Sequence, residues 1–195
     1  PILEGIQTST DLEASAVDVD LAIEAVPEDA DIKKDLFNVL DEVCPTETIL
    51  LSNTSSLNVF EIVSVSHPER FCIAHWYAPP YIIPLVDVVK GPQTSDETVD
   101  RVAQLLTCLG KKPVVLEEFI QCYLVNRLQI AIGREVHALL DNGLATPEQL
   151  DEAVKASLAP RMTVVGVVQR HDFTGLDVSL AIQKEMADKL SGVPT

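Results

Sequence analysis

The stretch from Thr48 to Asp87 constrains the fold most. It contains three short apolar runs, each of which carries polar residues at or near its end. The first run is followed by a polar loop, Ser52–Ser56, the second ends at His75, and the third contains Asp87. Short apolar runs bounded by turn-forming residues are typical of buried strands. Ligands of open α/β sheets lie beyond the carboxyl ends of the strands, so the pattern predicts a site built from strand ends.

His75 is the candidate acid–base group of this stretch. An imidazole changes its protonation near neutral pH, and a carboxylate such as Asp87 can orient it and stabilise its charged form. A hydroxyl of the Ser52–Ser56 loop could share a substrate oxygen. The residues alone leave a second interpretation open, in which His75 makes only a local hydrogen bond and Asp87 is a solvated strand acid.

Strand and helix patterns alternate up to about residue 118. A buried strand closed by Pro27 is followed by a helix that begins at Asp29 or Asp31 and stops at Pro45. This alternation favours an α/β fold with a mostly parallel sheet. The predicted strands are Asp20–Val26, Thr48–Leu51, Phe71–Ala74, Pro84–Val89 and Pro113–Leu116.

Capping patterns predict two further helices in this part of the chain. Asn58 begins a capping box for a helix over Val59–Val65, and Thr94 begins another. Gly110 supplies the left-handed residue that commonly ends a helix.

The pattern becomes entirely helical after about residue 118. A long helix is expected over Leu124–Leu140, and Thr146 is followed by proline at the first helical position and glutamine at the third. We therefore expect an α/β domain over residues 1–118 and an all-helical domain over residues 119–195.

Composition limits the possible partners. The net charge of −16 disfavours nucleic acid, because no basic patch could balance a phosphate backbone. No apolar run is long enough to span a membrane, and no signal peptide pattern opens the chain. We expect a cytoplasmic protein without a membrane or nucleic acid partner.

The cysteines are widely spaced and form no Cys-x-x-Cys pair or Cys/His cluster. They are Cys44, Cys72, Cys108 and Cys122. This spacing predicts buried free thiols in a reducing compartment and no metal site.

The chain resembles the 3-hydroxyacyl-CoA dehydrogenase superfamily in four motifs that occur in the same order, SNTSSL, RFCIAHW, PLVDVV and LVNR. The longer segments AHWYAPPYIIPLVDVV and NRLQIAI are more similar to its branch containing L-gulonate 3-dehydrogenase (lambda-crystallin) than to its mitochondrial β-oxidation branch. The resemblance runs from about Thr8 to about Asp177. It implies a partial Rossmann-like domain followed by a helical domain, through which the protein forms a homodimer. It also implies NAD-dependent oxidation of a small-molecule 3-hydroxyacyl-CoA or 3-hydroxy acid, or the reverse reduction.

The resemblance implies catalytic roles for four residues. His75 matches the base that takes the proton of the substrate hydroxyl, and Asp87 stands where the family has a glutamate paired with that histidine. Ser55 matches a serine that hydrogen-bonds the substrate oxygen near the nicotinamide. Asn126 matches a substrate-side asparagine. A turn serine and an interdomain hydrogen bond remain alternatives for the last two.

The resemblance also implies which residues contact the cofactor. Glu28 and Lys33 match residues beside the ribose and nicotinamide, and Asn53 and Ser55 match loop contacts, although solvated residues at a helix start are an alternative for the first two. NAD is expected in preference to NADP by resemblance alone. The GxGxxG segment that opens such a domain does not occur in the chain, so we expect the N-terminal half of this domain to be absent from it and the helical domain to be shortened.

Some positions depart from the family pattern. Ala78 stands where an asparagine is usual, and Gln121 and Cys122 replace a proline and a glycine. These departures keep two other functions open. One is a catalytically weak homologue with a structural or interaction role, and the other is an enzyme repurposed for a different β-hydroxy or β-keto compound.

Three aromatic residues, Trp76, Tyr77 and Tyr81, flank the histidine. A repurposed enzyme would use them to line its pocket. Core packing is the interpretation we favour for all three.

Overall fold

The chain divides into two compact units, Pro1–Leu124 and Val125–Thr195. The structure, a computed structural model, describes residues 2–186. Within residues 2–186, no helix combines the length and the apolar character needed to cross a membrane.

The first unit is built on a five-stranded sheet whose strands lie in their order along the chain. β1, β2 and β3 run parallel, β4 runs antiparallel to β3, and β5 runs parallel to β4. The predicted α/β class with a mostly parallel sheet is confirmed. The strands are β1 (Leu21–Glu24), β2 (Ile49–Ser52), β3 (Phe71–Trp76), β4 (Leu85–Val89) and β5 (Lys112–Leu116).

The helices of this unit begin and end partly as predicted. Asp29 caps the second α-helix, since its carboxylate accepts from the N–H groups of Asp31 and Ile32. Gly110, at φ 76°, follows the end of the fourth, as predicted. The helices are α1 (Leu12–Ala16), α2 (Ala30–Val43), α3 (Val59–Ile62) and α4 (Asp96–Cys108), with short 3₁₀ turns at Ile2–Gly5 and Pro68–Arg70.

Two predicted caps are wrong. Asn58 makes no cap hydrogen bond and donates instead to the Glu61 side chain, and α3 ends at Ile62 rather than Val65. The cap of α4 is Ser95, one residue after the predicted Thr94. The hydroxyl of Thr94 is already occupied, because it donates to the Phe71 carbonyl and accepts from the Gly91 N–H.

Each face of the sheet is covered by its own apolar cluster. Side chains alternate along every strand, so Ile73 packs with α2 and α3 on one face while Cys72 and Ala74 pack with α4 on the other. We call the first the α2 face. Phe37, fully buried, lies at its centre and makes an edge-on contact with the Phe71 ring.

The second unit is helical. The predicted capping box at Thr146 is confirmed, with the hydroxyl accepting from the Gln149 N–H and the Gln149 side chain accepting from the Thr146 N–H. The remaining helices of the chain are α5 (Tyr123–Asp141), α6 (Pro147–Ala153), α7 (Ala159–Val164), α8 (Arg170–Thr174) and α9 (Leu176–Met186), with a π-helical turn at Val154–Leu158 between α6 and α7.

Candidate active site

Three parallel strands end side by side at one edge of the sheet. Glu24, the last residue of β1, is in register with Ser52 of β2, and Ser52 is in register with Ile73 of β3. β3 continues beyond that line to His75 and Trp76. Because side chains alternate, Glu24, Ser52 and His75 share the α2 face, and a candidate site lies where ligands of such sheets bind.

His75 and Asp87 lie directly opposite each other in the antiparallel β3–β4 pair. The imidazole Nδ1 is 3.3 Å from Asp87 Oδ2, and the two residues are 3% and 1% exposed. Side chains at opposite positions of an antiparallel pair point to the same face and lie within contact distance. The structure therefore brings these two predicted residues together, and the carboxylate can hold the imidazole in one orientation.

Two tyrosine rings enclose this imidazole. The Tyr77 ring lies edge-on with its centroid 4.6 Å from that of His75, and the Tyr123 ring is tilted at 4.8 Å. The Tyr77 hydroxyl donates to Asp87 Oδ2 at 2.6 Å. Neither contact was predicted from the sequence, and the only signal was that Tyr77 lies two residues after His75.

The expectation of core packing fails for one of the three aromatic residues near the histidine. Tyr81 is 84% exposed, so that interpretation is wrong for it. Trp76 does pack against the apolar cluster on the α4 side of the sheet. Tyr77 is half-buried beside the histidine.

The serine loop after β2 wraps around the carboxylate of Glu28. Successive backbone N–H groups that point to one side form an anion-binding concavity, and here the anion is a side chain of the same chain. The donors to Oε1 are the N–H groups of Ser55 (2.9 Å), Ser56 (2.8 Å) and Leu57 (3.2 Å) and the hydroxyls of Thr54 (2.7 Å) and Ser56 (3.1 Å).

These contacts change the acidity of Glu28. Burial raises its pKa, but hydrogen bonds outweigh burial and lower the pKa from 4.5 to about 2. The donors, in decreasing order of effect, are Thr54, Ser56, Leu57 and Lys33. Glu28 is therefore a fixed anion that organises the loop.

Lys33 is buried rather than solvated. Its ammonium lies 2.7 Å from Glu24 Oε1 and 3.2 Å from Glu28 Oε2. Glu24 also accepts from the Ser52 hydroxyl at 2.5 Å. The solvated interpretation of Lys33 is wrong, and its predicted cofactor contact stays a prediction.

The remaining predicted residues lie in different parts of the structure. Asn53 Oδ1 accepts from the Trp76 N–H at 2.9 Å, which ties the serine loop to the residue after the histidine. The Ser55 side chain, later in that loop, is exposed. Asn126 belongs to the second unit, in the first turn of α5, and its substrate role stays a prediction.

The four cysteines are free, but only Cys44 and Cys72 are buried. Burial raises the pKa of the Cys72 thiol to about 12, so this group is inert at neutral pH. Cys108 is exposed, which contradicts the expectation of burial for it.

Comparison with known proteins decides the family. Residues 1–119 match the model of the 3-hydroxyacyl-CoA dehydrogenase NAD binding domain, and residues 123–193 match that of the 3-hydroxyacyl-CoA dehydrogenase C-terminal domain. The chain belongs to the 3-hydroxyacyl-CoA dehydrogenase family. The resemblance expected from the sequence motifs is confirmed at this level.

Individual relatives within the family have different substrates in their names. The chain is 31% identical over 187 residues to 5-formyl-3-hydroxy-2-methylpyridine 4-carboxylate 5-dehydrogenase of Mesorhizobium japonicum, covering 95% of this chain and 60% of the relative. It is 39% identical over 182 residues to 3-hydroxybutyryl-CoA dehydrogenase of Clostridioides difficile, covering 93% and 63%. A human lambda-crystallin homolog is 35% identical over 147 residues, covering 75% and 46%. The chain thus spans about 60% of the length of the first two of these relatives.

A solved structure shares this fold over nearly the whole chain. The crystal structure of a 5-formyl-3-hydroxy-2-methylpyridine 4-carboxylic acid 5-dehydrogenase, described as an NAD+-dependent dismutase, superimposes with a TM-score of 0.89. Its sequence identity to this chain is 30%, over 96% of this chain and 61% of that one.

One departure from the 3-hydroxyacyl-CoA dehydrogenase pattern has a visible backbone consequence. Cys122, where the family usually has glycine, adopts φ 63°, and Tyr123 follows at φ 51°. This left-handed turn leads into the fully buried Tyr123 side chain, whose hydroxyl donates to the Thr54 carbonyl at 2.8 Å. Burial, followed by the nearby charges of Glu28 and Asp87, raises the pKa of Tyr123. Tyr123 therefore remains a hydrogen-bond donor that fixes the serine loop beside His75.

Proposed function

We propose that this protein oxidises the hydroxyl group of a 3-hydroxyacyl-CoA or related 3-hydroxy acid with NAD, or carries out the reverse reduction. The observation that carries the proposal is the contact between His75 and Asp87 at the edge of the sheet where ligands of α/β folds bind. Membership of the 3-hydroxyacyl-CoA dehydrogenase family supports the reaction class.

The base of the reaction is His75. Its Nδ1 side contacts Asp87, so Nε2 is the nitrogen that takes the proton of the substrate hydroxyl. As the O–H bond breaks, the carbon–hydrogen bond releases a hydride and the carbon–oxygen bond becomes a carbonyl. Ser55 offers its exposed hydroxyl to the same substrate oxygen. Asn126 keeps the substrate-side role that the family resemblance implies.

NAD, when bound, accepts the hydride. The match of residues 1–119 to the NAD binding domain supports this cofactor. The residues at the sheet edge fit it, because the half-buried Asn53 side chain lies against the Trp76 N–H and the exposed Ser55 side chain offers a hydroxyl in the same loop. Glu28 and Lys33 are the other two cofactor contacts that we propose, beside the ribose and nicotinamide, and their charges pair with each other at 3.2 Å.

We also propose a domain boundary, an oligomeric state, a cellular location and a family branch. We place the domain boundary near residue 118 and assign homodimer formation to the helical domain, a choice supported by its exposed apolar side chains, including Val164, Val168 and Phe173. We propose a cytoplasmic location and, on the motifs around His75, a position in the L-gulonate 3-dehydrogenase (lambda-crystallin) branch.

The test begins with intact mass and NADH binding of the purified protein, followed by an NADH-linked assay over 3-hydroxy acids and 3-hydroxyacyl-CoA thioesters. His75→Gln should lower kcat by at least ~100-fold, the usual size of a general-base contribution, and should leave NADH binding unchanged. His67→Gln is the matched control, because the His67 side chain is 45% exposed and pairs with Glu69 at 3.1 Å. A protein that binds NADH yet turns over no member of the panel would favour the inactive homologue instead.

A further inference from the structure

We propose that Tyr77 is a positioning residue, which clamps the Asp87 carboxylate so that His75 keeps its proton on Nδ1 and leaves Nε2 unprotonated. The value of this tautomer for catalysis rests on the proposed function. The tautomer itself exists in the protein without substrate, so it can be observed independently of turnover.

The register of the sheet places the three side chains together. Tyr77 is the first residue after β3 and lies two residues after His75, while Asp87 is directly opposite His75 on β4. Tyr77 and Asp87 are thus diagonal neighbours, a separation that an aromatic side chain can bridge.

The two donors to Asp87 are unequal. Tyr77 donates to Oδ2 at 2.6 Å, within the range of strong O–H···O⁻ bonds. His75 Nδ1 lies 3.3 Å from the same oxygen, beyond the usual range for N–H···O. The tyrosine contact is the firmer of the two, so it fixes where the carboxylate points.

The short side chain of Asp87 explains why a clamp is needed. An aspartate side chain is one methylene shorter than a glutamate, and here its carboxylate stops 3.3 Å from the imidazole Nδ1. Asp87 is 1% exposed, and its Oδ1 has no hydrogen-bond partner among the residues that the structure describes. Both donors converge on Oδ2, and without Tyr77 the carboxylate would be held by the long imidazole contact alone.

The tautomer can be read from the nitrogen chemical shifts of imidazole in protein labelled with ¹⁵N-histidine. His75→Gln identifies the signal among the four histidines. The native protein should show the Nδ1–H form, and Tyr77→Phe should raise the share of the Nε2–H form to about 20%, because the carboxylate loses the hydroxyl that fixes it. Tyr81→Phe is the matched control, because Tyr81 is exposed, and it should leave the ratio unchanged.

Rescue separates positioning from a general loss of structure. In Tyr77→Phe/Asp87→Glu, the longer carboxylate should reach the imidazole unaided and restore the Nδ1–H form. The proposal is overturned if the native protein carries the Nε2–H form, if Tyr77→Phe leaves the ratio unchanged, or if the glutamate does not restore it. Where turnover is measurable, Tyr77→Phe should lower kcat about 10-fold at unchanged KM. Absent turnover with the expected tautomers would count against the proposed function alone.

Discussion

Lys33 and Glu24 form an ion pair that is almost completely withdrawn from solvent. Their Nζ and Oε1 atoms are 2.7 Å apart, and the side chains are 1% and 0% exposed. Glu24 also accepts from the Val26 N–H at 2.9 Å and the Ser52 hydroxyl at 2.5 Å. Such a pair is tolerated in the interior because its polar atoms have partners, and breaking it from one side leaves a buried charge.

Lys33→Met should therefore lower the free energy of unfolding by about 3–5 kcal/mol, the cost of an uncompensated buried charge. Adding Glu24→Gln should recover part of this loss, because the unpaired carboxylate is removed. Urea denaturation measures both. Lys34→Met is the control, since Lys34 is exposed and should change stability by no more than about 0.5 kcal/mol. If Lys33→Met and the double variant lost the same free energy of unfolding, the loss would not come from the unpaired Glu24 carboxylate.

The low pKa of Glu28, about 2, makes stability depend on pH. The folded-state pKa lies below the ordinary value of 4.5, so the unfolded chain binds the proton more readily. The contribution of Glu28 is present above pH 4.5 and is lost as the pH falls towards about 2.

Glu28→Gln should flatten the pH dependence in this window and lower stability at pH 7 by about 1 kcal/mol, since an amide oxygen is a weaker acceptor than a carboxylate. Urea denaturation at a series of pH values measures the slope. The exposed Glu13→Gln is the control. Parallel curves for Glu28→Gln and the native protein would contradict the assigned contacts.

Cys122→Gly should raise the free energy of unfolding by about 0.5 kcal/mol. A non-glycine residue at φ 63° pays ~1–2 kcal/mol of backbone strain, which exceeds the entropy cost of glycine, ~0.5–1 kcal/mol. Thermal unfolding measures the change. Gly110→Ala should do the reverse and destabilise by about 1 kcal/mol, because φ is 76° there although a Cβ would meet open space. A less stable Cys122→Gly protein would mean that the cysteine side chain matters more than the backbone.

Tyr123→Phe should loosen the serine loop. The variant keeps the ring but leaves the Thr54 carbonyl without the hydroxyl that now donates to it, at a cost of about 1–2 kcal/mol. Hydrogen exchange of the Ser55 and Ser56 amides should become faster, and amides of β5 should not change beyond the global effect. Unaltered exchange at the loop would show that Glu28 alone holds it.

Local patterns predicted most elements but not the details that build the site. The strand–helix alternation and the cap at Thr146 were readable because each depends on neighbouring residues. Ser95 displaced Thr94 as a cap because a contact with Phe71, distant in sequence, occupies the Thr94 hydroxyl. The inward turn at Cys122 was not predictable, since a cysteine gives no sign of a left-handed backbone.

The pairing of His75 with Asp87 was expected from family resemblance rather than from spacing. A signal for its geometry was nevertheless present. The connection from β3 to β4 is too short for the crossover that a parallel pair needs, so the two strands had to be antiparallel. The exact partner of His75 depends on the pairing register, which a connection of this length does not specify.

The chain reverses direction after β3, so His75 and Asp87 are held together by the pairing of two strands. Asp87 projects from the interior of a fully hydrogen-bonded strand, so it cannot follow the movement of a loop. A slip of one residue between β3 and β4 would turn the carboxylate to the far side of the sheet and place a valine before the imidazole. The alignment of two strands is thus itself a condition for the proton transfer that we propose, and the pair should remain intact until the whole sheet unfolds.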